Sequence, residues 1–424
     1  MSSGVIKKAL IFGKGESGQG AYILLKRQGT YVSVCDETDY KYKVTHDLDL
    51  IVVSPGISIY HPVFSLAKSL NIPVIGEIEL GAKYCEKPVI AVTGTNGKTT
   101  VTRMINAMLS NKNSCACGNI GVSFCRSITK NYDVFVVEAS SFQLETAPSF
   151  HPHIAVITNI AVDHIDRHKS MENYANIKLS IAKNQTKNDC LIMSFDDIPM
   201  RYLKGFCPDS NVYFFSTERA VKGAYAYKDY IYFCDEKICK TDRMRAQGKH
   251  NLSNALASVC VAKLTGVSNA NIVSALSSFV PDAHRLEYVD SVNGVSFYND
   301  SKGTNISATL KAMQTMCQPY ALILGGSDKG YGFGDLFDKE NNLPQSVFAI
   351  GVTAKKIMHD ALSNGYESVE ICENLKDATV KAYNSGAKSV LLSPATASFD
   401  AFSSYKARGE AFCEYVKEIK SLEN

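Results

Sequence analysis

The chain has 424 residues, of which 45% are hydrophobic, and a formal net charge of +3 at pH 7. This length predicts two or three domains with sizeable cores, and the lack of a dense basic run argues against a nucleic-acid-binding protein. The sequence has no apolar stretch as long as a membrane span, and its first residues lack the apolar core of a signal peptide. Its thirteen cysteines form no paired CxxC clusters, so we expect reduced thiols in a cytoplasmic protein.

An N-terminal α/β unit is predicted for residues 1–87. Strands are expected at residues 5–12, 31–34, 50–53 and 73–75, and helices at residues 19–27 and 77–84. The first strand leads into a GxGxxG turn from Gly13 to Gly18, and the second leads into Asp36. A dinucleotide-binding fold places an acidic residue at this distance, on a ribose hydroxyl. A tight turn beside a solvated Asp36 is the alternative interpretation.

The second predicted unit, residues 88–280, begins with a candidate phosphate-binding loop. An apolar strand at residues 88–92 precedes Gly94-Thr95-Asn96-Gly97-Lys98-Thr99-Thr100, and a helical pattern follows. Glycines before a helix allow backbone N–H groups to surround phosphate oxygens. Lys98 would then reach the β- and γ-phosphates, and the Thr99 hydroxyl would bind Mg²⁺. The general P-loop pattern has a glycine where this chain has Val92, so a plain strand–helix turn is the alternative.

Two further strands of this unit lead into polar residues. The strand at 133–137 is followed by Glu138, and the strand at 154–157 leads to His164. Because the carboxyl ends of parallel strands share one edge of a sheet, we expect both side chains beside the phosphate loop, as metal ligands or their supports. Surface caps are the alternative. Lys178 lies in a helix predicted for residues 171–182, where a surface lysine with a buried stem is the simpler interpretation.

The rest of the chain continues the α/β pattern. Short β segments within residues 188–240 predict more of the central sheet with an added antiparallel piece, and helices are expected from residue 248 and around residues 273–276. The third predicted unit, residues 281–424, has a strand pair around Gly294. Further strands are expected at residues 321–324, 346–350 and 389–392. The pattern predicts an α/β protein with a Rossmann-like N-terminal domain, a P-loop-type mononucleotide-binding central domain and a Rossmann-like C-terminal domain.

Together these motifs resemble the ATP-dependent Mur ligases of peptidoglycan precursor synthesis, over essentially the whole chain and in the expected order. The resemblance is carried by residues 94–100, 138–144, 163–168, 284–285, 299–305, 393–400 and 408–409. Within that family, the last two segments and the N-terminal unit are most like the member that adds D-glutamate.

The resemblance implies that UDP-N-acetylmuramoyl-L-alanine and D-glutamate are joined by an amide bond through an acyl phosphate, while ATP becomes ADP and phosphate. The catalytic residues it implies are Lys98, Glu138, His164 and Lys178. It also implies two Mg²⁺ sites, formed by Thr99, Glu138, His164 and a Lys178 that CO₂ has carbamylated. The partners it implies are small molecules, with no nucleic acid or membrane, and the protein is expected to be a monomer.

The resemblance also implies three sets of binding residues. The ATP contacts would be Gly94, Thr95, Asn96, Gly97, Lys98, Thr99, Thr100, Asn251, Asn254, Arg285, Asp300 and Lys302. The UDP-substrate contacts would be Glu16, Ser17, Asp36, Glu37, Gly56, Asn119, Ser140, Gln143 and His164. The D-glutamate contacts would be Lys302, Thr304, Lys329, Ser398 and Tyr405. The GxGxxG turn would therefore hold UDP rather than a nicotinamide cofactor.

The sequence leaves four alternatives to this function. They are a sister ligase that adds another amino acid, a folylpolyglutamate-type ligase, a dinucleotide-dependent dehydrogenase and a non-catalytic nucleotide-binding switch. The dehydrogenase would explain the GxGxxG turn and Asp36, but not the second phosphate loop or the polar edge formed by Glu138 and His164. ATP turnover that requires both an amino acid and a UDP-sugar distinguishes the ligase from the dehydrogenase and the switch.

Overall fold

The structure, a computed structural model, describes residues 5–246, 248–280 and 283–423, apart from the side chain of Asp166. The chain divides into two compact units, Met1–Ile160 with Ser170–Val280 and Ala161–Lys169 with Pro281–Asn424. The domain boundaries expected after residues 87 and 280 stay predictions. None of the helices within the described ranges is both long enough and apolar enough to cross a membrane.

The first unit contains a four-stranded parallel sheet with the order β2-β1-β3-β4. Its strands are β1 (Lys8–Phe12), β2 (Tyr31–Cys35), β3 (Leu50–Val53) and β4 (Val74–Gly76). Its helices are α1 (Glu16–Arg27), α2 (Tyr40–Lys43), α3 (Pro62–Ser69) and α4 (Glu77–Tyr84). The expected start of α1 at residue 19 was wrong, because the last residues of the glycine turn are already helical and Gly15 is the N-cap.

The same unit contains a nine-stranded sheet. Its elements begin with β5 (Val89–Thr93), α5 (Lys98–Met108), β6 (Ser114–Gly118), α6 (Phe124–Ser127), β7 (Val134–Glu138), α7 (Ser141–Leu144) and β8 (Ile154–Ile157). Helix α8 (Ile165–His168) belongs to the second unit. The first unit resumes with α9 (Met171–Leu179), β9 (Cys190–Ser194), β10 (Asn211–Ser216), β11 (Gly223–Tyr227), β12 (Tyr230–Phe233), β13 (Glu236–Lys240), α10 (Lys249–Leu264) and α11 (Asn269–Ser278).

This sheet has the order β13-β12-β11-β10-β9-β8-β5-β7-β6. It is parallel from β6 to β11, and β12 and β13 add an antiparallel extension, as the sequence predicted. Side chains alternate between the two faces of β5. Ile90 and Val92 pack into a core with Val259 of α10, whereas Ala91 packs into the opposite core with Leu179 of α9. Both faces of the central strand are therefore covered.

The second unit contains a six-stranded sheet with the order β14-β15-β19-β16-β17-β18. Its elements are β14 (Glu287–Val292), β15 (Val295–Asn299), α12 (Ile306–Thr315), β16 (Tyr320–Gly325), β17 (Ser346–Ile350), α13 (Ala354–Ser363), β18 (Val369–Ile371), α14 (Leu375–Asn384), β19 (Ser389–Leu392) and α15 (Tyr405–Glu423). The β14–β15 pair around Gly294 is antiparallel and the remaining pairs are parallel. Short 3₁₀ turns occur at Ser110–Lys112, Ser180–Ala182, Met200–Leu203, Thr241–Arg243 and Gly334–Phe337.

The α/β class is confirmed, and four buried strands have the bounds that their apolar runs predicted. They are β3, β8, β17 and β19. Two strands were not predicted. Strand β6 consists of Ser, Cys, Ala, Cys and Gly and is mostly half-buried, so it lacks a long apolar run. Strand β18 has three residues at a sheet edge, too few for a clear alternation.

Candidate functional site

The phosphate-binding loop lies between β5 and α5, as predicted, and two of its glycines have positive φ angles. Gly94 has φ +145° and Gly97 has φ +83°. A Cβ atom on Gly94 would lie 1.9 Å from Thr158 Oγ1, and one on Gly97 would lie 2.4 Å from Asn254 Oδ1. Both positions therefore require glycine, for backbone conformation and for space.

Residues at the end of β8 hold this loop in place. Thr158 Oγ1 donates to Asn96 O at 2.6 Å, and Asn159 Oδ1 accepts from Asn96 N at 2.9 Å. The backbone N–H of Thr95 donates to Asn159 O at 3.0 Å. Sequence reasoning assigned no role to Thr158 or Asn159. Their position directly after a buried strand next to β5 is the signal that could have identified them.

Lys98 and Lys178 both donate to the carbonyl oxygen of Gly94, at 2.9 and 2.7 Å. Lys98 Nζ also donates to Thr95 O at 2.9 Å, so its ammonium lies over the phosphate loop. The two lysines come from different helices, α5 and α9, and both reach the same carbonyl oxygen after β5. The structure therefore brings together two of the four predicted catalytic residues.

The interpretation of Lys178 as a surface lysine is wrong, because its side chain is 1% exposed. Its Nζ lies 4.5 Å from the centre of the Tyr174 ring, one turn earlier on α9. The Tyr174 hydroxyl in turn donates to Thr95 Oγ1 at 3.2 Å. Tyr174 and Lys178 of α9 both contact the phosphate loop, which covers the lysine. Its burial therefore depends on the tertiary fold and not on its neighbours in sequence.

Glu138 is the last residue of β7 and is 2% exposed. Its Oε1 accepts from Asn119 Nδ2 at 2.8 Å, whereas its Oε2 is buried and has no hydrogen-bond partner among the residues that the structure describes. An unbonded buried carboxylate oxygen is unfavourable unless a further ligand satisfies it. A carboxylate and a threonine hydroxyl are both oxygen ligands that suit Mg²⁺, so Glu138 at the end of β7 and Thr99 in the first turn of α5 have the chemistry of the predicted cation site.

Within the described ranges, no three His, Cys, Asp or Glu side chains are grouped so that they could hold a metal by themselves. A cation at Glu138 would therefore need hydroxyl, substrate or water oxygens as well. His164 belongs to the second unit, and its expected pairing with Lys178 stays a prediction.

Two of the expected UDP-substrate residues form a capping box at the start of α7. Ser140 Oγ accepts from Gln143 N at 3.2 Å, and Gln143 Oε1 accepts from Ser140 N at 2.9 Å. Both lie just beyond Glu138 at the same sheet edge. Asn251 and Asn254, expected at ATP, are buried in the first two turns of α10, and Asn254 lies against Gly97.

The remaining UDP-substrate candidates surround the carboxyl edge of the four-stranded sheet. Asp36 is ion-paired with Lys14 at 2.5 Å and accepts from Thr38, and its binding of a ribose or of UDP stays a prediction. The Lys14 hydrogen bond holds the pKa of Asp36 well below its usual range. Glu16 Oε1 accepts from Ser123 N at 3.2 Å. Ser17, Glu37 and Gly56 lie in α1 and in the turns after β2 and β3.

The second unit carries the other candidates at the carboxyl edge of its own sheet. Asp300 accepts from Leu286 N at 3.1 Å and from Ser393 Oγ at 2.7 Å. Burial raises the pKa of Asp300 to about 6, although the nearby charge of Arg285 acts in the opposite direction. Lys302 Nζ lies 5.7 Å from the centre of the Tyr405 ring.

Lys329 and the segment that contains His164 are joined within this unit. Lys329 Nζ is 3.2 Å from Asp163 Oδ1 and donates to Thr304 O at 2.9 Å. Asp163 Oδ2 also accepts from Asn305 Nδ2 at 3.2 Å. Ser398, in the loop that follows β19, is buried. Lys329, one of the two lysines expected to bind D-glutamate, is thus already paired with a carboxylate.

Arg408 has no predicted binding role, yet it organises this edge. Its guanidinium is 1% exposed and donates to Ser301 O, Thr396 O and Ala397 O at 2.9 to 3.2 Å, and to Ser301 Oγ at 3.0 Å. Burial lowers its pKa to about 10. The loops that follow β15 and β19 are tied together by this one side chain.

Comparison with known proteins finds relatives over nearly the whole chain. A family model described as Mur ligase middle domain matches residues 92–262. A UDP-N-acetylmuramoylalanine–D-glutamate ligase of Caldanaerobacter subterraneus subsp. tengcongensis is 38% identical over 391 residues, covering 90% of this chain and 87% of that protein. The ligase of the same name from Macrococcus caseolyticus is 38% identical over 441 residues, covering 97% of this chain and 98% of that protein.

The crystal structure of MurF ligase from Thermotoga maritima in complex with ADP is similar in fold, with a TM-score of 0.60 and 17% sequence identity over 99% of this chain and 96% of that chain. At this identity the likeness establishes the fold alone. The relatives at 38% identity span nearly the whole chain. The protein therefore belongs to the Mur ligase family, in the group of UDP-N-acetylmuramoylalanine–D-glutamate ligases.

Proposed function

We propose that this protein is an ATP-dependent ligase that joins D-glutamate to UDP-N-acetylmuramoyl-L-alanine in peptidoglycan precursor synthesis. A carboxylate oxygen of the UDP-substrate attacks the γ-phosphorus of ATP, and ADP leaves. The amine of D-glutamate then attacks the acyl phosphate carbon and loses a proton, and phosphate leaves as the amide forms. The observation that carries this proposal is the phosphate loop with Lys98 over it, in a chain that resembles ligases of this name throughout its length.

The phosphate loop and Lys98 would bind the triphosphate. The N-terminus of α5 directs backbone N–H groups towards the loop, where they favour anionic oxygens. Lys98 would exchange its bonds to Gly94 O and Thr95 O for bonds to phosphate oxygens. Because a phosphoryl-transfer transition state spreads charge over its oxygens, a fixed cation at this point lowers the barrier. Asn251 and Asn254 are proposed to contact the same nucleotide.

Glu138 and Thr99 are proposed to hold one Mg²⁺. When bound, the cation would neutralise negative charge on phosphate oxygens. The buried Glu138 oxygen, which has no hydrogen-bond partner among the described residues, supports this assignment. His164 and Lys178 are proposed for a second cation, with Lys178 carbamylated by CO₂. The buried Lys178 side chain, with its Nζ 2.7 Å from Gly94 O of the phosphate loop, supports a role at this site.

The D-glutamate site is proposed at the edge of the six-stranded sheet. Lys302, Thr304, Lys329, Ser398 and Tyr405 would bind the amino acid, because a dicarboxylate is best held by charge-assisted hydrogen bonds. Arg285, Asp300 and Lys302 would contact ATP. Both assignments rest on side chains of the second unit whose chemistry suits these two ligands.

The proposal includes three domains, residues 1–87, 88–280 and 281–424, with a UDP-binding N-terminal domain. Each of these ranges contains one sheet, which supports the division. Glu16, Ser17, Asp36, Glu37 and Gly56 would contact UDP, and Asn119, Ser140, Gln143 and His164 would contact the muramoyl part. We also propose a monomer that acts in the cytoplasm on small-molecule substrates.

The test is phosphate release from ATP in the presence of UDP-N-acetylmuramoyl-L-alanine and single amino acids. We expect release with D-glutamate and little with L-glutamate, together with a product heavier by one glutamyl residue. Lys98→Ala should abolish release, whereas the exposed Lys130→Ala should not. Release with a different amino acid would overturn the substrate assignment, and no release with any amino acid would overturn the ligase.

A further inference from the structure

His61 connects the turns that follow β2 and β3 at the carboxyl edge of the four-stranded sheet. It is the N-cap residue of α3, and its Nδ1 accepts from the backbone N–H of Val63 at 3.1 Å. Its Nε2 lies 2.9 Å from Oε2 of Glu37, in the turn after β2. No sequence motif pointed to this histidine, which follows β3 by eight residues.

The two contacts determine which ring nitrogen carries the proton. Because Nδ1 accepts the hydrogen bond from Val63, it is unprotonated, and a neutral imidazole then carries its hydrogen on Nε2. The Nε2–H group therefore donates to the carboxylate of Glu37. One ring in one tautomer both caps α3 and holds a carboxylate.

Aromatic packing fixes the plane of the His61 ring. Its centre lies 5.2 Å from that of Phe12 and 4.9 Å from that of Tyr40, both in edge-to-face geometry. Phe12 ends β1 and Tyr40 begins α2, and their rings stack at 5.3 Å. The His61 side chain is 16% exposed, whereas that of Glu37 is 63% exposed. The imidazole is thus immobilised, and the carboxylate that it holds faces solvent.

This carboxylate lies where such sheets bind ligands. In the order β2-β1-β3-β4, the connection reverses between β1 and β3, and ligands of open α/β sheets bind outside the carboxyl ends of strands at such a point. Asp36 accepts bonds from Lys14 and Thr38 through its two oxygens. Glu37 is therefore the better available acceptor for the N–H and hydroxyl donors of a uridine.

We infer that His61 is a positioning residue for the UDP-substrate, which acts through Glu37 and sets affinity for the uridine part rather than the rate of the chemical step. This inference rests on the proposed function, because it takes UDP as the group bound at this edge. His61 does not contact the reacting atoms, so its loss should raise the KM for the UDP-substrate and leave kcat unchanged.

The test is His61→Asn in the full-length enzyme. Asparagine is a good N-cap residue, so α3 stays capped, but its shorter side chain does not extend to Glu37. The KM for the UDP-substrate should rise about tenfold, the effect of one lost hydrogen bond to a charged group. The values of kcat and of KM for ATP and D-glutamate should stay within about twofold. The exposed His46→Asn, in the turn between α2 and β3, is the matched control and should match the wild type.

Glu37→Ala tests the same bond without altering the buried ring. The KM of Glu37→Ala for the UDP-substrate should rise by a similar factor. Adding His61→Asn should raise this KM little further, because both substitutions remove the same hydrogen bond. An unchanged KM in either single variant, or a fall in kcat alone, overturns the role of His61 while the ligase stands. A wild-type enzyme without D-glutamate-dependent phosphate release overturns the proposed function, and this inference with it.

Discussion

The side-chain amide of Asn119 lies 2.8 Å from one carboxylate oxygen of Glu138, and the other oxygen of that carboxylate is buried without a hydrogen-bond partner in the described part of the chain. The backbone N–H of Asn119 also donates to Glu138 O at 2.8 Å. Because β6 and β7 are neighbours, the loop after β6 reaches the end of β7. Asn119 therefore orients the carboxylate that would bind a cation.

Asn119→Ala should weaken the enzyme's use of Mg²⁺. Loss of the orienting amide lets the Glu138 side chain turn, and changes to groups that orient metal ligands typically cost about 10- to 100-fold in metal affinity or activity. We expect the Mg²⁺ concentration for half-maximal phosphate release to rise by about tenfold or more. Asn188→Ala, at an exposed turn, is the control. An unchanged Mg²⁺ requirement would contradict the role of Asn119.

Lys178→Ala should remove most of the ligase activity. If the residue acts as a carbamate, small carboxylic acids such as acetate or formate should enter the space left by the side chain and restore part of the rate. Phosphate release measured against acid concentration checks this. The exposed Lys183→Ala should lose no activity and gain nothing from added acid. Absence of any rescue in a folded Lys178→Ala protein would rule out the carbamate.

Gly97→Ala should impair ATP binding, because the added Cβ atom both strains the backbone and clashes with Asn254. Gly97 and Gly29 have similar φ angles, +83° and +77°. An added Cβ would meet Asn254 Oδ1 at 2.4 Å at Gly97 but nothing within 4 Å at Gly29. Gly29→Ala should therefore cost only the left-handed backbone penalty, about 1–2 kcal/mol.

The measurements are thermal unfolding and the KM for ATP. Gly97→Ala should lower the unfolding temperature more than Gly29→Ala, and it should raise the KM for ATP about tenfold, a loss of about 1.4 kcal/mol in binding. Gly29→Ala should leave this KM unchanged. Equal effects of the two variants on ATP would show that contact with Asn254 does not matter.

Glu77 should make the protein less stable as pH rises through weakly acidic values. Burial raises the pKa of its carboxyl to about 7, from an ordinary value of 4.5, although Cys125 N–H donates to it. Between these values the unfolded chain loses the proton while the folded protein keeps it, so the free energy of unfolding falls as pH rises, and the loss is complete above pH 7.

Glu77→Gln keeps a hydrogen-bond acceptor and cannot ionise, so it should lack this dependence. From pH 5 to pH 8, the wild type should lose about 3 kcal/mol of stability relative to Glu77→Gln. Urea unfolding followed by tyrosine fluorescence measures the difference, since the chain has 22 tyrosines and no tryptophan. The exposed Glu86→Gln is the control. Parallel pH profiles of the wild type and Glu77→Gln would refute the prediction.

Lys329→Gln should raise the KM for D-glutamate about tenfold or more, because it removes a charge-assisted hydrogen bond. The KM for ATP should change less than twofold. Lys356, which pairs with Asp328 at the surface, provides the matched control through Lys356→Gln. If D-glutamate binds Lys329→Gln as well as the wild type, the ion pair with Asp163 is structural and the amino acid binds elsewhere.

Several elements were predictable because their chemistry is local. The strand Leu50–Val53 is an unbroken apolar run, and the glycines before Lys98 require a turn that leads into a helix. Such patterns depend on neighbours in sequence, so composition and spacing are sufficient to identify them. The family could be recognised for the same reason, since its motifs are short contiguous segments.

Contacts between segments far apart in sequence could not be predicted from local patterns. Burial of Lys178 depends on α9 packing against the phosphate loop, and the bond from Asn119 to Glu138 depends on the pairing of β6 with β7. The bond from His61 to Glu37 joins turns that follow different strands. Sequence patterns report which residues are apolar or strained locally, but which polar groups meet is set by the order of strands in the sheet.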